Sequence, residues 1–268
     1  DMMKNKRHLL VLGKADLADE RETRAWLGYF RAQGIDCMSF DSIRGKAKDI
    51  IARIEKASAD AVAKMAAKGV KKTVRVMIVG VPNVGKSSLI NRMTGKKSAQ
   101  TGDRPGVTRG KQWLRLQNGM QLLDTPGILW PKFEDPKAGL NLAFCGSIKD
   151  EILDVPTLAM ELIGVLAEHY PQLLMDRYKL EETGETPLET MEMMAQKRGC
   201  ILPGKRIDYE RIGKLTLDEF RGGKIGRITL ELPPVPAKSP AGATCSADDF
   251  AVADSHSPAE TPAKEAQE

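Results

Sequence analysis

The sequence predicts an α/β domain followed by a small all-helical domain and an unstructured acidic tail, on three observations. Residues 74–79, Val-Arg-Val-Met-Ile-Val, form an apolar, β-branched run that reads as a buried strand; the Gly-rich stretch Gly80-Val-Pro-Asn-Val-Gly-Lys-Ser87 follows, and residues 88–93 open a helix. Downstream, a second strand pattern runs directly into Asp124-Thr-Pro-Gly127. Past residue 181 the apolar spacing is helical, and after Leu232 the chain turns to Pro, Ala, Ser, Asp and Glu with little to bury, the composition of a disordered segment. The expected domains are therefore 1–180, 181–232 and 233–268.

Taken in order, residues 7–12 read as a strand, with Gly13-Lys-Ala-Asp16 at its carboxyl end. Residues 20–33 alternate charged and apolar side chains at helical spacing, with Trp26, Leu27 and Phe30 as the inner face. Residues 35–40 are a second strand, and Asp41-Ser-Ile-Arg-Gly45 is the loop after it. A long helix over 46–68 places Ile50, Ile51, Ile54 and Ala57 on one side and ends at Gly69. Residues 96–109 are a polar loop containing Pro105-Gly-Val-Thr108. Strands over 111–116 and 120–123 are joined through Asn118-Gly119, a strong hairpin signal. Residues 128–133 read as a mobile segment whose Trp130 and Phe133 are expected to pack on the next helix rather than meet a partner. Helical pattern then runs over 136–178, with breaks expected at Gly146 and Pro156. Two further helices, 187–198 and 207–220, are linked by 199–206, and Met191, Met193 and Met194 belong to their core.

Charge is distributed unevenly along the 268 residues. The formal net charge is +5, yet the tail from Pro233 holds two Lys against six Asp and Glu, so it carries −4 and the body +9. That asymmetry favours an anionic partner such as nucleic acid. The four Cys lie far apart without metal-ligand spacing or a disulfide framework, which suits reduced, mostly buried thiols in a cytoplasmic protein. Neither a membrane-spanning run nor a secretory signal is visible, and the first residue is Asp rather than Met, so the natural start is expected further upstream.

Residues 80–87 fit the phosphate-binding pattern of Gly, four residues, Gly-Lys-Ser, in the strand–turn–helix context that gives the pattern its meaning. Backbone N–H groups around Asn83, Val84, Gly85 and Ser88 form a cradle for anionic oxygens, reinforced by the helix N-terminus. Lys86 reaches the terminal phosphates, and the Ser87 hydroxyl is a Mg²⁺ ligand. Asp124, at a strand end, holds the metal shell; Gly127 offers its N–H to a γ-phosphate; Thr108, in the loop between, gives a second hydroxyl to Mg²⁺. In this order the groups describe a nucleoside triphosphatase with two switch segments, with Lys86, Thr108 and Gly127 acting at the transferring phosphate.

Base choice falls to Gly13-Lys14-Ala15-Asp16. Asp16 can accept from the ring N–H and exocyclic amine of guanine, a pair of donors adenine lacks, while the Lys14 stem lies along the base. Asp41 and Ser42 fit the loop that meets the guanine carbonyl through backbone N–H. These motifs precede the phosphate loop, whereas in most GTPases they follow it; the order is that of a circularly permuted P-loop GTPase domain.

On these residues the chain resembles the ribosome biogenesis GTPase A family. The likeness covers about residues 7–232 and rests on segments 14–19, 80–88, 105–108, 124–135 and 221–227. It implies a GTPase that assists late assembly of the large ribosomal subunit and is stimulated by the ribosome, with a helical C-terminal domain that contacts rRNA. The candidates for that contact are Lys205, Arg206, Arg221, Lys224 and Arg227. The resemblance also implies Mg²⁺ and K⁺ as cofactors, with Asn83 matching the residue that helps hold K⁺, and a monomeric protein.

Ile128 follows Asp124–Gly127 and, unlike a Gln, cannot orient water; in the family an N-terminal segment bearing a His is implicated. Two departures from the family pattern matter. That N-terminal segment, which in the family also supplies a strand and a helix, is not seen in this sequence, and one side of the sheet is therefore expected to be exposed. Gly13 stands where the family has Asn, so Gly13→Asn is expected to tighten guanine nucleotides. Two other readings compete on sequence alone: a nucleotide-gated RNA-binding module with little hydrolysis, and a small-subunit assembly GTPase.

Overall fold

Strand β1 (Leu10–Leu12) pairs in parallel with β2 (Cys37–Ser39), Leu10 opposite Cys37 and Leu12 opposite Ser39, across helix α1 (Glu20–Ala32). The computed structural model describes residues 6–95, 112–116, 118–129 and 133–234. Helix α2 (Ala47–Ala66) leads to β3 (Arg75–Ile78) and α3 (Lys86–Thr94). Then β4 (Gln112–Arg115) turns through Gly119, φ +83°, into β5 (Gln121–Asp124), the hairpin that Asn118-Gly119 predicts. β5 lies between β4 and β3 and runs parallel to β3.

Among the described residues β1 and β3 do not pair, so the strands fall into two sheets. One apolar cluster nevertheless joins them. It buries Phe40, Ile50, Met93 and Leu122, with Val11 and Met38 from the first sheet and Val76 and Ile78 from the second packed against it. Side chains alternate along a strand, so Met77 and Val79 face the other way, where they are 52% and 49% exposed beside Trp113 at 53%.

The remaining helices share a second core. They are α4 (Pro136–Phe144), α5 (Val155–His169), α6 (Pro171–Tyr178), α7 (Pro187–Arg198) and α8 (Tyr209–Arg221). Phe144, Leu162, Leu174, Met191, Met194 and Ile212 are buried together, so this core joins helices from both sides of residue 181. Gly146 does break the helical run, at φ +69°. Pro156 does not: it sits in the first turn of α5, capped by Asp154, where a missing N–H is harmless. The second break falls instead at Tyr170, before Pro171. Helix α7 starts with a capping box between Thr186 and Glu189, and the link to α8 folds as a ribbon of β6 (Ile201–Leu202) and β7 (Arg206–Ile207). Of the cysteines expected to be buried, Cys37 and Cys200 are, whereas Cys145 is exposed; Cys245 lies outside the described residues, as does the predicted tail over 235–268.

Glu219 of α8 ties this helical core together. Its carboxylate accepts from Arg177 of α6 and from Arg198 of α7 while remaining only 9% exposed. Burial alone would raise its pKa; the hydrogen bond from Arg177 and the nearby charge of Arg198 overcome that and hold it below the ordinary 4.5. A depressed carboxylate stabilises the fold above its unfolded pKa and loses that contribution as pH falls through the folded value. Glu219→Ala is therefore expected to cost about 2–4 kcal/mol, less than a fully buried pair because the guanidinium groups keep some solvent. Glu219→Gln is expected to flatten the loss of stability below about pH 4.5; denaturant melts of the parent and both variants across pH check each expectation.

Candidate active site

The phosphate loop forms because its sequence permits a left-handed backbone at two places. Asn83 has φ +59° and Gly85 φ +98°, and α3 begins at Lys86. Alternation of this kind turns successive N–H groups to one side, an anion-binding concavity at a helix N-terminus. Lys86 folds back over the loop, its Nζ donating to the carbonyls of Gly80 (3.0 Å) and Val81 (2.7 Å).

Asp124 ends β5 in register with Ile78, the last residue of β3, and so lies beside the loop. It is buried, and its Oδ1 has no hydrogen-bond partner among the described residues. Burial raises the Asp124 carboxyl pKa, partly offset by the Lys86 charge and the Thr125 N–H; burial also lowers the Lys86 pKa, with Asp124 opposing. A buried carboxylate oxygen without a protein partner fits the shell of a divalent cation. Gly127 presses on the loop: a Cβ there would lie 2.6 Å from Pro82 N and Cα, and the Ile128 N–H donates to the Gly80 carbonyl. Thr108 lies outside the described residues.

The base-reading motifs converge on the same place. A Cβ on Gly85 would meet Ser42 Oγ at 3.7 Å and Lys14 Cγ at 3.9 Å. Asp16 Oδ1 accepts from the Ser42 N–H at 2.8 Å, so that N–H, expected to meet the guanine carbonyl, instead locks the two base loops together. Asp41 turns its carboxylate into its own loop, accepting from the N–H groups of Ile43 and Arg44, and the Arg44 bond lowers its pKa despite desolvation. Arg92 of α3 donates to the carbonyls of Ser42 and Ile43.

Position 13 departs from expectation. A Cβ on Gly13 would lie 2.6 Å from the Val84 carbonyl oxygen, a backbone atom of the phosphate loop. The glycine does more than lack an amide: it lets the end of β1 touch the loop directly. The gain expected from Gly13→Asn is thereby reversed, since any side chain has to push the loop aside.

Several anchors are not legible as motifs. Asn83 Nδ2 donates to the Cys145 carbonyl (2.9 Å) and Ser147 Oγ to the Pro82 carbonyl (2.8 Å), so the end of α4 grips the loop. Arg221, expected on an RNA surface, is turned inward. Its guanidinium donates to the carbonyls of Phe144 and Ala143 and to both oxygens of Asp150. Arg227 donates to the carbonyls of Ala15 and Ala18. Lys205, Arg206 and Lys224 are exposed. Phe133 packs on Gly139 of α4, as expected; Trp130 lies outside the described residues.

Comparison with known proteins decides the family. Residues 75–187 match the model of the 50S ribosome-binding GTPases. The chain is 44% identical over 235 residues to Ribosome biogenesis GTPase A of Bacillus cereus, covering 87% of this chain and 79% of that protein. Identity to the protein of the same name from Priestia megaterium is 45% over 236 residues, covering 87% and 82%. The chain belongs to the ribosome biogenesis GTPase A family. The GDP-bound structure of YlqF from T. maritima superposes with a TM-score of 0.62 at 28% identity, covering 86% of each chain. Family membership makes this protein a GTP hydrolase with a circularly permuted P-loop domain. GTPases of this kind generally use Mg²⁺, which Asp124 is suited to hold.

Two outcomes are expected. Lys86→Ala abolishes triphosphate binding, checked with a labelled GTP analogue; binding like the parent's would remove Lys86 from the phosphate site. Gly13→Ala and Gly13→Asn weaken GDP and GTP alike, by about 1–3 kcal/mol of overpacking; calorimetry checks it, and a tightening would mean that the Val84 carbonyl yields without cost.

Proposed function

We propose that this GTPase acts in late assembly of the large ribosomal subunit, as a cytoplasmic monomer whose hydrolysis is stimulated by the ribosome. The observation that carries the reading is Ile128. The residue after Asp124–Gly127 is an exposed hydrocarbon side chain whose backbone is held by Gly80, so it offers no group to orient an attacking water. In this reading the group that orients the water is brought to the γ-phosphate on the ribosome. The names of the relatives, Ribosome biogenesis GTPase A, support the same setting.

In this reading the reaction is attack of water on the γ-phosphate, giving GDP and phosphate. The cradle around Val84, Gly85 and Ser88 binds the phosphates, and Lys86, whose ammonium has three donors, places its charge on the terminal ones while keeping a donor for the Gly80 and Val81 carbonyls. Ser87, Thr108 and Asp124 would hold Mg²⁺, which would supply positive charge to offset that of the phosphates. Asn83, whose Nδ2 is fixed on the Cys145 carbonyl, has its amide oxygen left to meet K⁺. The Gly127 N–H senses the γ-phosphate. Asp16 and Lys14 choose guanine, beside Gly13, Ala15, Asp41 and Ser42.

Residues 181–232 are the rRNA-contacting part, and its contact is the tip around β6 and β7. Lys205 and Arg206 are exposed there, Lys197, Arg211 and Lys214 are exposed on α7 and α8, and Lys224 is a further exposed candidate. Arg221 is not carried into this surface because its donors are engaged within the protein, whereas Arg227 is exposed but spends Nε and Nη2 on the Ala18 and Ala15 carbonyls.

Co-sedimentation with large-subunit particles tests the proposal. Binding is expected to be tighter with a non-hydrolysable GTP analogue than with GDP and to weaken as salt rises. Replacing both Lys205 and Arg206 by Ala is expected to flatten the salt dependence by about two phosphate contacts. Phosphate release is expected to accelerate when large subunits are added. Equal pelleting with both nucleotides and no acceleration would overturn the reading.

A further inference from the structure

We infer that the segment following α8 is a latch on the nucleotide site, in which Arg227 is a positioning residue for guanine recognition. The inference rests on reading Lys14–Asp16 as the base-reading loop, and it assigns Arg227 a task separate from RNA contact.

The backbone around that loop is held from the far end of the chain. Arg227 Nε donates to the Ala18 carbonyl at 2.8 Å, and its Nη2 donates to the Ala15 carbonyl at 2.9 Å. The Ile228 N–H donates to the Leu17 carbonyl at 2.9 Å, and Thr229 Oγ1 accepts from the Asp19 N–H at 3.1 Å. Three carbonyls and one N–H within 15–19 are thus engaged by three consecutive residues. The approach is close enough that a Cβ on Gly223 would lie 2.7 Å from Leu17 Cδ2.

Asp16 sits in the middle of the clamped stretch. Its backbone neighbours on both sides are tied to 227–229, while its side chain is directed to Ser42. The clamp therefore fixes where the Asp16 carboxylate stands relative to the base without touching the base.

The latch is itself fastened to the helical core. Ile225 and Ile228 are buried in that core, and the Tyr170 hydroxyl donates to the Thr229 carbonyl. At its other end Arg221 grips the carbonyls of Ala143 and Phe144, next to Cys145 and Ser147, whose contacts hold Asn83 and Pro82. Six residues apart, Arg221 at the end of α8 and Arg227 in the segment after it thus brace the phosphate end and the base end of one site. A guanidinium suits the second task because its planar fork can meet two carbonyls at once.

The test compares GDP with IDP, which lacks the exocyclic amine, by titration calorimetry on the full chain. The GDP-to-IDP affinity ratio reports whether Asp16 stands where both guanine donors can reach it. Arg227→Ala is expected to shrink the ratio about three- to tenfold, the scale of one misplaced hydrogen bond. GDP and GTP should weaken to the same extent, and KM for GTP should rise while kcat holds. Arg227→Lys, able to meet one carbonyl, should fall between Arg227→Ala and the parent, and it serves as the measured variant if the Ala form does not fold. A ratio equal to the parent's in every folded Arg227 variant, whatever happens to the melting temperature, would overturn the latch. Asp16→Ala separates the two readings. If it leaves the ratio at the parent's value, the base-loop assignment fails; if it collapses the ratio while the Arg227 variants do not, the latch alone fails.

Discussion

A loop that turns its N–H groups toward an anion must turn carbonyl oxygens back into the protein, and those oxygens need donors. Much of this structure answers that requirement. Ser147 supplies the Pro82 carbonyl, Lys86 supplies Gly80 and Val81, and the Ile128 N–H adds to Gly80. An unpaired carbonyl here would cost about 1–3 kcal/mol and would let the loop rotate out of its anion-binding form. The donors come from three places: α3 itself, the segment after β5, and the turn after α4. The phosphate loop is therefore a junction between the strand-bearing part of the chain and the helical core.

That arrangement gives the helical core a part in nucleotide chemistry without any direct contact to nucleotide. Glu219 binds α6, α7 and α8 through two guanidinium groups, and α8 ends at Arg221, whose fork closes on the turn after α4. A displacement of α8 changes the geometry of the Cys145 carbonyl that Asn83 donates to and of the Ser147 hydroxyl that donates to the Pro82 carbonyl. Events at the basic tip of β6 and β7 and events at the phosphates are separated by rigid, packed helices rather than by a flexible linker.

Local chemistry was legible in the sequence; long-range use of side chains was not. The strand–turn–helix around 80–87, the Asn118-Gly119 hairpin, α7 from Pro187 to Arg198 and the Met191 and Met194 core follow from neighbours a few residues apart. Pro156 was misread because proline reads as a breaker unless the cap before it, Asp154, is recognised. The internal contacts of Arg221 and Arg227 were hidden for a deeper reason. A guanidinium in a Gly- and Lys-rich stretch reads as solvated, and the carbonyls that bind these two lie nearly 80 and about 210 residues away along the chain. The absence of pairing between β1 and β3 likewise depends on which strands lie side by side, which periodicity does not specify.

The contact between Gly13 and the Val84 carbonyl has a consequence for how this sequence can change. Because the obstacle is backbone, no exchange of the Val84 side chain relieves it; the loop from Pro82 to Gly85 has to move as a unit, and Ser147 and Asn83 resist that movement. The effect of a side chain at position 13 is then conditional on residues in two other segments. Substitutions there should be strongly non-additive with changes at 83 and 147, so that a residue harmless in one relative is harmful when transplanted alone into this one.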